Sequence, residues 1–386
     1  MADLPSKKID WDEFRRLMPI AERWAYFDHA AVAPLSGPAK DAIVRWSQQA
    51  AEQGDTIWPE WAKNVEKIRR CAASLIGADA RQVALVPNTT AGINLVAEGF
   101  PWKEGDNVIT ISGEFPSNLY PWMNLRDRGV EERRIEFEGI EPDLNRIADS
   151  CDDRTRIIGI SWVSYSTGWR IDVNEIVELA HQRGVLVFLD AIQGLGVFPL
   201  DVEQTQVDFL AADGHKWMLG PEGAGIFYLR SEHLDLLRPL GVGWHSVVHS
   251  HDFTHIELNY RREAARYEGG SQNMVGFVGL GVNLNMFADF GLSPSTSPIA
   301  ERILEINASA AQQLEAIGAH VLSPVNDKHS SGILAFELPG SDPTKLRQQC
   351  LERGVVLSHR AGRLRISPHA YANEQDLQRL ISALTW

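Results

Sequence analysis

One lysine of the chain stands where its amine can act as a nucleophile. Residues 211–220 place Lys216 in a turn flanked by glycines, directly after an apolar run, and a second apolar run follows at 223–229. This pattern predicts a loop between two buried strands. Most lysines are solvated surface residues, but burial lowers the pKa of a lysine and leaves its amine neutral and reactive. The position suits a lysine that forms a Schiff base.

An acid at the end of another apolar run favours this interpretation. The run 185–189 ends on Asp190, which predicts a buried parallel strand whose carboxyl end faces a ligand crevice. A buried carboxylate needs a cationic or proton-donating partner, and the protonated pyridine nitrogen of pyridoxal phosphate is one such partner. Gln193, shortly after the acid, is expected to donate a hydrogen bond to the ring phenolate.

At these residues the chain resembles the class V aminotransferase family, pyridoxal-phosphate enzymes that include cysteine desulfurases, selenocysteine lyases, isopenicillin N epimerase and kynureninase. The resemblance covers nearly the whole chain, and its motifs follow the family's order at residues 26–31, 88–94, 114–122, 185–193, 211–220 and 363–369. It implies an α/β protein of fold type I, with a mostly parallel central sheet, helices on both faces and a small C-terminal α+β domain.

The resemblance implies cofactor contacts in several of these motifs. Thr89 and Thr90 precede an apolar helical pattern, so a hydroxyl and backbone N–H groups are expected to hold the phosphate, with an ordinary threonine N-cap as the alternative. His215 matches another phosphate ligand. Phe115 stands where the desulfurases carry a histidine that stacks on the ring, and it keeps the stacking without the ring nitrogen. Tyr165 replaces an asparagine near the ring oxygen and the substrate carboxylate.

Two further positions concern the phosphate. Ser271 matches a ligand that the neighbouring subunit supplies in the family, which implies a homodimer with shared active sites. Asp213 departs from the desulfurase pattern, which has a serine there. An aspartate repels a phosphate dianion unless it points elsewhere or has a counter-charge, so Asp213 is left out of the expected cofactor site.

The expected substrate is an amino acid held by its carboxylate. Arg365 matches the arginine that binds this group in the family, and a planar guanidinium grips both oxygens at once. Arg360 and Arg363 compete for the role, and a surface arginine is the alternative. His29 and Ala31 resemble the N-terminal segment that lines the substrate end of the pocket, with an ordinary turn as the alternative.

The family chemistry makes Lys216 the base that removes the α-proton, after which transamination, epimerisation and elimination are all open. We take an aminotransferase of class V type as the main interpretation. The alternatives are a cysteine or selenocysteine lyase and an epimerase, and the non-enzyme alternative is a protein of this fold that senses or carries a ligand. Residues 355–365 contain no cysteine, and Cys350 shares a helical face with Leu346. Persulfide transfer on a protein thiol is therefore disfavoured, whereas a lyase that needs no cysteine stays open.

A run of four histidines at 244–255 is the one pattern that competes with this site. His245 and His249 would face the same way on a helix and share a metal there. The run follows Gly241 and Gly243, which favours a loop, and it lacks the glutamate of a zinc protease. No metal site is expected.

The composition is typical of a cytoplasmic globular enzyme. The chain has 386 residues, 44% hydrophobic and 23% charged, and its net charge of −14 argues against nucleic acid or an anionic membrane as a partner. No apolar run approaches the roughly 18 residues of a membrane span, and the N-terminus lacks a signal-peptide pattern. Three cysteines, an odd number, fit a reducing compartment.

Apolar runs alternate with helical patterns along most of the chain, which predicts a parallel α/β sheet. A stretch rich in proline and serine at 290–298 marks a break, and a closing helix is expected at 374–384. We expect an N-terminal segment, 1–25, that packs on the small domain, a large cofactor-binding domain, 26–290, and a small domain, 291–386.

Overall fold

The computed structural model describes residues 9–385. Residues 1–8 of the expected N-terminal segment, and Trp386 at the end of the expected small domain, lie outside the described residues. None of the helices in the described part is both long and apolar enough to span a membrane.

The strands of the described residues form three sheets. Their bounds are β1 (Ala25–Tyr26), β2 (Val83–Val86), β3 (Asn107–Ile111), β4 (Glu131–Ile135), β5 (Thr155–Ser161), β6 (Leu186–Asp190), β7 (Phe209–Asp213), β8 (Gly225–Leu229), β9 (His320–Val321), β10 (Leu334–Glu337), β11 (Val355–Val356), β12 (Ser358–Arg360) and β13 (Arg363–Ile366). The largest sheet has seven strands in the order β2-β8-β7-β6-β5-β3-β4. Only β8 runs antiparallel to its neighbours in this sheet.

The helices of the described residues cover both faces of this sheet and build the C-terminal part. Their bounds are α1 (Trp11–Arg16), α2 (Gly37–Gln53), α3 (Trp58–Leu75), α4 (Thr89–Gly99), α5 (Tyr120–Met123), α6 (Leu144–Asp149), α7 (Val173–His181), α8 (Val202–Thr205), α9 (Met274–Asp289), α10 (Pro298–Ala316), α11 (Pro343–Glu352) and α12 (Glu374–Leu384). The prediction of a mostly parallel sheet between helices is confirmed.

The central strands are continuous apolar runs because both of their faces are buried. Side chains alternate between the faces of a strand, so Phe188 of β6 packs with α4 in one core cluster while Val187 and Leu189 pack with α7 in the other. By the same alternation Asp190 points to the α4 face, and so does Asp213 at the end of β7. The two acids therefore share one side of the sheet.

The C-terminal residues form a smaller layer with its own core. Strands β12-β13-β10-β9 make a four-stranded sheet, and helices α10, α11 and α12 pack with it. The short strand β1 pairs in parallel with β11, and Ala25 and Phe27 belong to this second core. The chain therefore enters the large sheet only after it has first contacted the C-terminal layer.

The N-terminal helix α1 touches both parts of the molecule. Arg15 forms an ion pair of 2.6 Å with Asp376 of α12. Phe14 is buried and stacks on Phe287 of α9, with 6.5 Å between the ring centroids. The segment before residue 26 thus bridges the C-terminal layer and the large one.

Candidate active site

The candidate site lies at the carboxyl edge of the large sheet, where several parallel strands end on polar residues. Strand β5 ends at Ser161, β6 at Asp190 and β7 at Asp213. Ser161 and Asp190 are register partners on neighbouring strands. Lys216 follows in the turn between β7 and β8. The predicted loop between two buried strands is therefore confirmed.

Burial decides the chemistry of Lys216. Lys216 is only 8% exposed, and this burial lowers the pKa of its amine to about 8. The carboxylate of Asp190 opposes this shift, and the guanidinium of Arg365 adds to it. The Nζ atom lies 5.5 Å from the centroid of the Phe115 ring. Within residues 9–385 the amine has no hydrogen-bond partner, so it is free to bond covalently to a carbonyl.

Asp190 is a buried acid without a cation at hydrogen-bond distance among the described residues. One of its oxygens, Oδ1, accepts a hydrogen bond of 3.1 Å from the Ile192 amide. Burial raises the pKa of this carboxyl to about 6, against the effects of that amide and of Lys216. A buried carboxylate in this state gains from a protonated heterocyclic nitrogen placed next to it. This fits the pyridine ring of pyridoxal phosphate.

The N-terminus of α4 carries the two threonines of the predicted phosphate site. Asn88 caps the helix through the amide of Ala91, at 2.8 Å, so neither threonine is the N-cap. The hydroxyl of Thr89 accepts a hydrogen bond of 2.9 Å from the Asp213 amide, and the hydroxyl of Thr90 donates to Ser117 Oγ, also at 2.9 Å. The first backbone N–H groups of a helix lack partners within the helix, which makes its N-terminus suited to a phosphate.

Asp213 lies against an imidazole on the same turn. Its Oδ2 lies 2.9 Å from Nδ1 of His215. The arrangement turns the aspartate toward the imidazole and leaves the other ring nitrogen, Nε2, for a further ligand. The sequence leaves the direction of Asp213 open, and the structure directs one of its carboxylate oxygens toward His215.

Gln193 is held inside the protein by two contacts. Its Nε2 donates to the Ala30 carbonyl at 3.0 Å, and its Oε1 accepts from Trp217 Nε1 at 2.8 Å. One amide hydrogen stays uncommitted for the expected bond to a ring phenolate. In this structure the side chain joins the N-terminal segment to the residue next to Lys216.

Phe115 and Tyr165 form one aromatic wall of the site. Their rings meet edge to face with centroids 5.3 Å apart, and Phe115 is 43% exposed. An exposed aromatic face near the reactive amine is a platform on which a heterocycle stacks. The backbone carbonyl of Tyr165 also accepts a hydrogen bond of 2.6 Å from Arg365. This carbonyl, rather than the phenol, is the atom of Tyr165 that contacts the arginine.

Arg365 is the one buried member of the three competing arginines. It is 1% exposed, and its Nη2 donates to Asp28 Oδ1 and to Ser358 Oγ, each at 3.2 Å. Its Nε is buried without a partner. Burial lowers the pKa of the guanidinium, and Asp28 opposes that effect. Arg360 is exposed, and Arg363 pairs with Glu337 at 3.4 Å. An unpaired buried N–H beside a fixed positive charge suits a substrate carboxylate.

His29 lies in the core of the protein. It is fully buried, with Nδ1 at 2.9 Å from the Ser367 carbonyl and Nε2 at 2.9 Å from the Tyr371 hydroxyl. Burial holds the pKa of the ring well below its ordinary value, so the imidazole is neutral. Both ring nitrogens take part in hydrogen bonds inside the protein, and the expected contact of His29 with the substrate stays a prediction. Ala31 is half-buried, in a turn where its amide donates to the Asp28 carbonyl at 3.0 Å.

Ser271 is separate from the Lys216 group within this chain. It is exposed in the segment before α9 and lines a cleft of about 230 Å³ with Trp58, Trp244 and His251. The histidine run around it is mostly loop, with a single turn at Trp244–Ser246. Among the described residues, no group of three or more His, Cys, Asp or Glu side chains is arranged so that it could hold a metal ion.

Two residues at the site were not singled out from the sequence. Glu114 is buried and contacts Ser161, and Asp28 pairs with Arg365. Both lie inside motifs that carried the family resemblance, Asp28 in residues 26–31 and Glu114 in residues 114–122. The sequence signal that could have indicated them is a charged residue next to a predicted stacking aromatic, for Glu114, and a charged residue beside a predicted buried turn, for Asp28.

The chain is similar in sequence to proteins named as cysteine desulfurases. A probable cysteine desulfurase of Methanothermobacter thermautotrophicus is 28% identical, with 96% of each chain covered. A cysteine desulfurase of Klebsiella pneumoniae is 33% identical over 81% of this chain and 78% of its own.

Solved structures share the fold. A C-DES mutant with glycine covalently linked to its PLP cofactor superposes with a TM-score of 0.89 at 21% identity, covering 96% of this chain and 98% of its own. The cysteine desulfurase CsdA of Escherichia coli gives 0.86 at 24% identity, covering 97% and 98%. These matches confirm fold type I. The family model for class-V aminotransferases matches residues 25–380, and the chain belongs to that family.

Proposed function

We propose that the protein is a pyridoxal-phosphate enzyme that breaks the C–S bond of a cysteine-type amino acid by β-elimination and needs no cysteine of its own. The curated relatives named above are cysteine desulfurases, and one solved neighbour is a complex of the cystine C–S lyase C-DES with cysteine persulfide. These names favour the lyase alternative over an aminotransferase. The Lys216, Asp190 and Arg365 arrangement supports an amino acid as substrate.

The observation that carries the proposal is the state of the three cysteines. Cys350 is fully buried in α11, and burial raises the pKa of its thiol to about 11. Burial also raises the pKa of Cys151 to about 11 and that of Cys71 above its ordinary value. A thiol accepts a sulfur atom as its thiolate, and none of these thiols is activated. The sulfur therefore leaves as part of a small molecule.

Each residue of the site has a defined task in such a reaction. When bound, pyridoxal phosphate supplies an electron sink for the pair left behind by the α-proton. Lys216 receives that proton at Nζ, Asp190 keeps the ring nitrogen protonated, and Arg365 holds the α-carboxylate. The C–S bond breaks and its electrons leave with sulfur.

The overall reaction balances with water alone. Cystine and water give pyruvate, ammonia and cysteine persulfide, and cysteine and water give pyruvate, ammonia and hydrogen sulfide. No external oxidant or reductant is consumed. The same site in an aminotransferase would require a 2-oxo acid to complete the cycle.

The experiment compares products from the purified protein loaded with pyridoxal phosphate. Cystine and cysteine are each supplied without a 2-oxo acid, and pyruvate, sulfide and persulfide are measured. A variant with Cys71→Ser, Cys151→Ser and Cys350→Ala should keep sulfur release within about twofold of wild type. Lys216→Ala should abolish it. Conversion of the cofactor to its amine form, with recovery by a 2-oxo acid and no sulfur release, would establish an aminotransferase and overturn the proposal.

We also propose that the active form is a homodimer in which Ser271 reaches the partner's phosphate site. Its exposure in the segment before α9, away from its own Lys216, supports this arrangement. The acidic net charge and three unpaired cysteines support the expected cytoplasmic location.

A further inference from the structure

Glu114 is a buried acid that the proposed chemistry does not use. It follows β3 and is 6% exposed. Its Oε1 accepts a hydrogen bond of 2.7 Å from the Ser161 amide, and its Oε2 accepts one from the Ser161 hydroxyl. Ser161 is the register partner of Asp190. Glu114 is thus bound to the residue that lies beside the acid of the site.

The turn that begins at Glu114 also carries the aromatic platform. Phe115 is the next residue, and its carbonyl accepts a hydrogen bond of 2.8 Å from the Asn118 amide. The Phe115 ring lies 5.5 Å from the Lys216 amine. The Glu114 carboxyl therefore ties the residue before Phe115 to the end of β5.

We propose that Glu114 is a positioning residue of the active site, which anchors the Phe115 turn to Ser161 and whose protonation sets the charge next to Asp190. The proposal rests on the proposed function in one respect, that Asp190 faces the cofactor ring nitrogen. It requires no contact between Glu114 and the substrate.

Protonation of Glu114 changes the charge beside Asp190 in a definite direction. Burial raises the pKa of Glu114 to about 7, the hydrogen bonds from Ser161 oppose this, and the charge of Asp190 adds to it. Below that pH Glu114 is neutral, and above it a second negative charge stands beside Asp190. A protonated ring nitrogen is then held more strongly above pH 7 than below it. The other charged groups around the acid pair are Lys216 behind Asp190 and Glu136, Glu141 and Arg363 on the cavity wall.

Glu114 can exchange its proton with solvent. It lines a cavity of about 310 Å³ together with Ser161, Trp169 and Arg363. The cavity lies between the edge of the large sheet and the C-terminal layer. A buried acid that borders such a cavity titrates during an ordinary pH measurement instead of staying trapped in one state.

Glu114→Gln removes the charge of this side chain and keeps its shape. Glutamine accepts from the Ser161 amide and donates to its hydroxyl, so the turn is kept while the titration is lost. The measurement is the visible spectrum of bound pyridoxal phosphate from about pH 5 to pH 9. We expect the wild type to show a spectral step near pH 7, the pKa of Glu114, and the variant to lack it. If the variant keeps the step, the proposal fails.

Three further variants complete the test. Ser161→Ala removes a hydrogen bond that favours the ionised form, so the step should move to higher pH. Glu114→Ala also frees the turn and should weaken pyridoxal phosphate binding by about tenfold in a fluorescence titration. Glu136→Gln lies on the same cavity, is exposed and lacks a bond to Ser161, so it should match wild type.

Wild-type affinity in Glu114→Ala would overturn the positioning role. Should that variant fail to fold, the Gln and Ser161→Ala pair still decides the electrostatic role. These readouts follow cofactor binding alone, so a failure here is distinct from an absence of sulfur release.

Discussion

Three buried ionisable side chains at one end of the sheet have pKa values that converge on neutrality from opposite directions. Burial lowers the pKa of Lys216 to about 8 and raises that of Asp190 to about 6 and that of Glu114 to about 7. Each of the three groups can therefore change its protonation state near neutral pH at small free-energy cost. Such convergence is typical of catalytic groups.

The first prediction at this scale concerns covalent capture of pyridoxal phosphate by the apoprotein. Only the neutral amine attacks the aldehyde, and it dominates above its pKa of about 8. The capture rate should rise about tenfold per pH unit below that point and level off above it. Stopped-flow absorbance measures the rate. Asp190→Asn removes a charge that raises the lysine pKa, so its midpoint should move to lower pH. A wild-type midpoint at the ordinary 10.5 would contradict the burial argument.

The second prediction concerns the carboxylate site. Arg365→Lys keeps the positive charge but loses the fork and the unpaired Nε–H, so KM for an amino acid should rise by about 10- to 100-fold, with a smaller change in kcat. Steady-state kinetics separates the two constants. Arg363→Lys is the matched control, because Arg363 pairs with Glu337 in a half-exposed position, and it should stay close to wild type. Equal losses in both variants would argue against the assignment.

At the scale of elements, the reactive turn is held from two sides. The Leu219 backbone takes a left-handed conformation with φ of 55°, and its carbonyl accepts a hydrogen bond of 2.6 Å from Asn283 of α9. Ser36, at the start of α2, donates to the same asparagine at 2.6 Å. A leucine in this conformation is strained and stays there only because its surroundings hold it.

Asn283→Ala tests this support. The change removes the side-chain donor to the buried Leu219 carbonyl and the acceptor of the buried Ser36 hydroxyl hydrogen, so the unfolding free energy should fall by about 1–3 kcal/mol. Pyridoxal phosphate affinity should fall as well, because the Lys216 turn loosens. Chemical denaturation and cofactor titration measure the two effects. Asn285→Ala, on the exposed side of the same helix, is the control and should change neither. Wild-type stability in Asn283→Ala would refute the role of this contact.

The helix that offers the anion site depends on one close approach. Gly92 of α4 faces Ala211 of β7, and a Cβ at this glycine would stand 2.5 Å from the alanine Cβ. The absence of a side chain lets the helix lie directly on the strand that leads to Lys216. Its N-terminus and the lysine turn are therefore placed relative to each other by backbone packing.

At the scale of the whole molecule, a buried ion pair fixes the segment that carries Ser271. Glu268 pairs with Arg69 of α3 and also accepts a hydrogen bond of 2.7 Å from the Leu85 amide. This network joins α3, β2 and the segment before α9. The network holds the segment that carries the exposed Ser271 in place, as the proposed contact with a second subunit requires.

Complementation tests the proposed sharing of the site between two subunits. Lys216→Ala and Ser271→Asp should each be inactive, the second because a carboxylate repels the partner's phosphate. In mixed dimers one site receives both changes and the other receives none, so mixing should restore activity toward half of wild type per mixed dimer. Light scattering provides the mass of the assembly. No recovery despite verified mixed dimers would place Ser271 outside the partner's site.

Local sequence patterns were sufficient to predict the framework of strands and helices around the site. Apolar runs with polar ends predicted β6, β7 and the Lys216 turn, and the expected closing helix at 374–384 is α12. These features depend on hydrophobic periodicity and on glycine in turns, which act over a few residues. The buried state of Lys216 and Asp190 follows from the same runs.

The partners of the site residues depend on contacts between distant parts of the chain. His29 bonds to Tyr371, Asp28 pairs with Arg365 and Glu114 contacts Ser161. The family pattern suggested that His29 faces the substrate, yet tertiary packing buries its ring. The folding of the C-terminal layer onto the sheet decides which buried polar groups become hydrogen-bond partners. Hydrogen bonds form between groups that are adjacent in space, whereas local sequence patterns describe only neighbours along the chain.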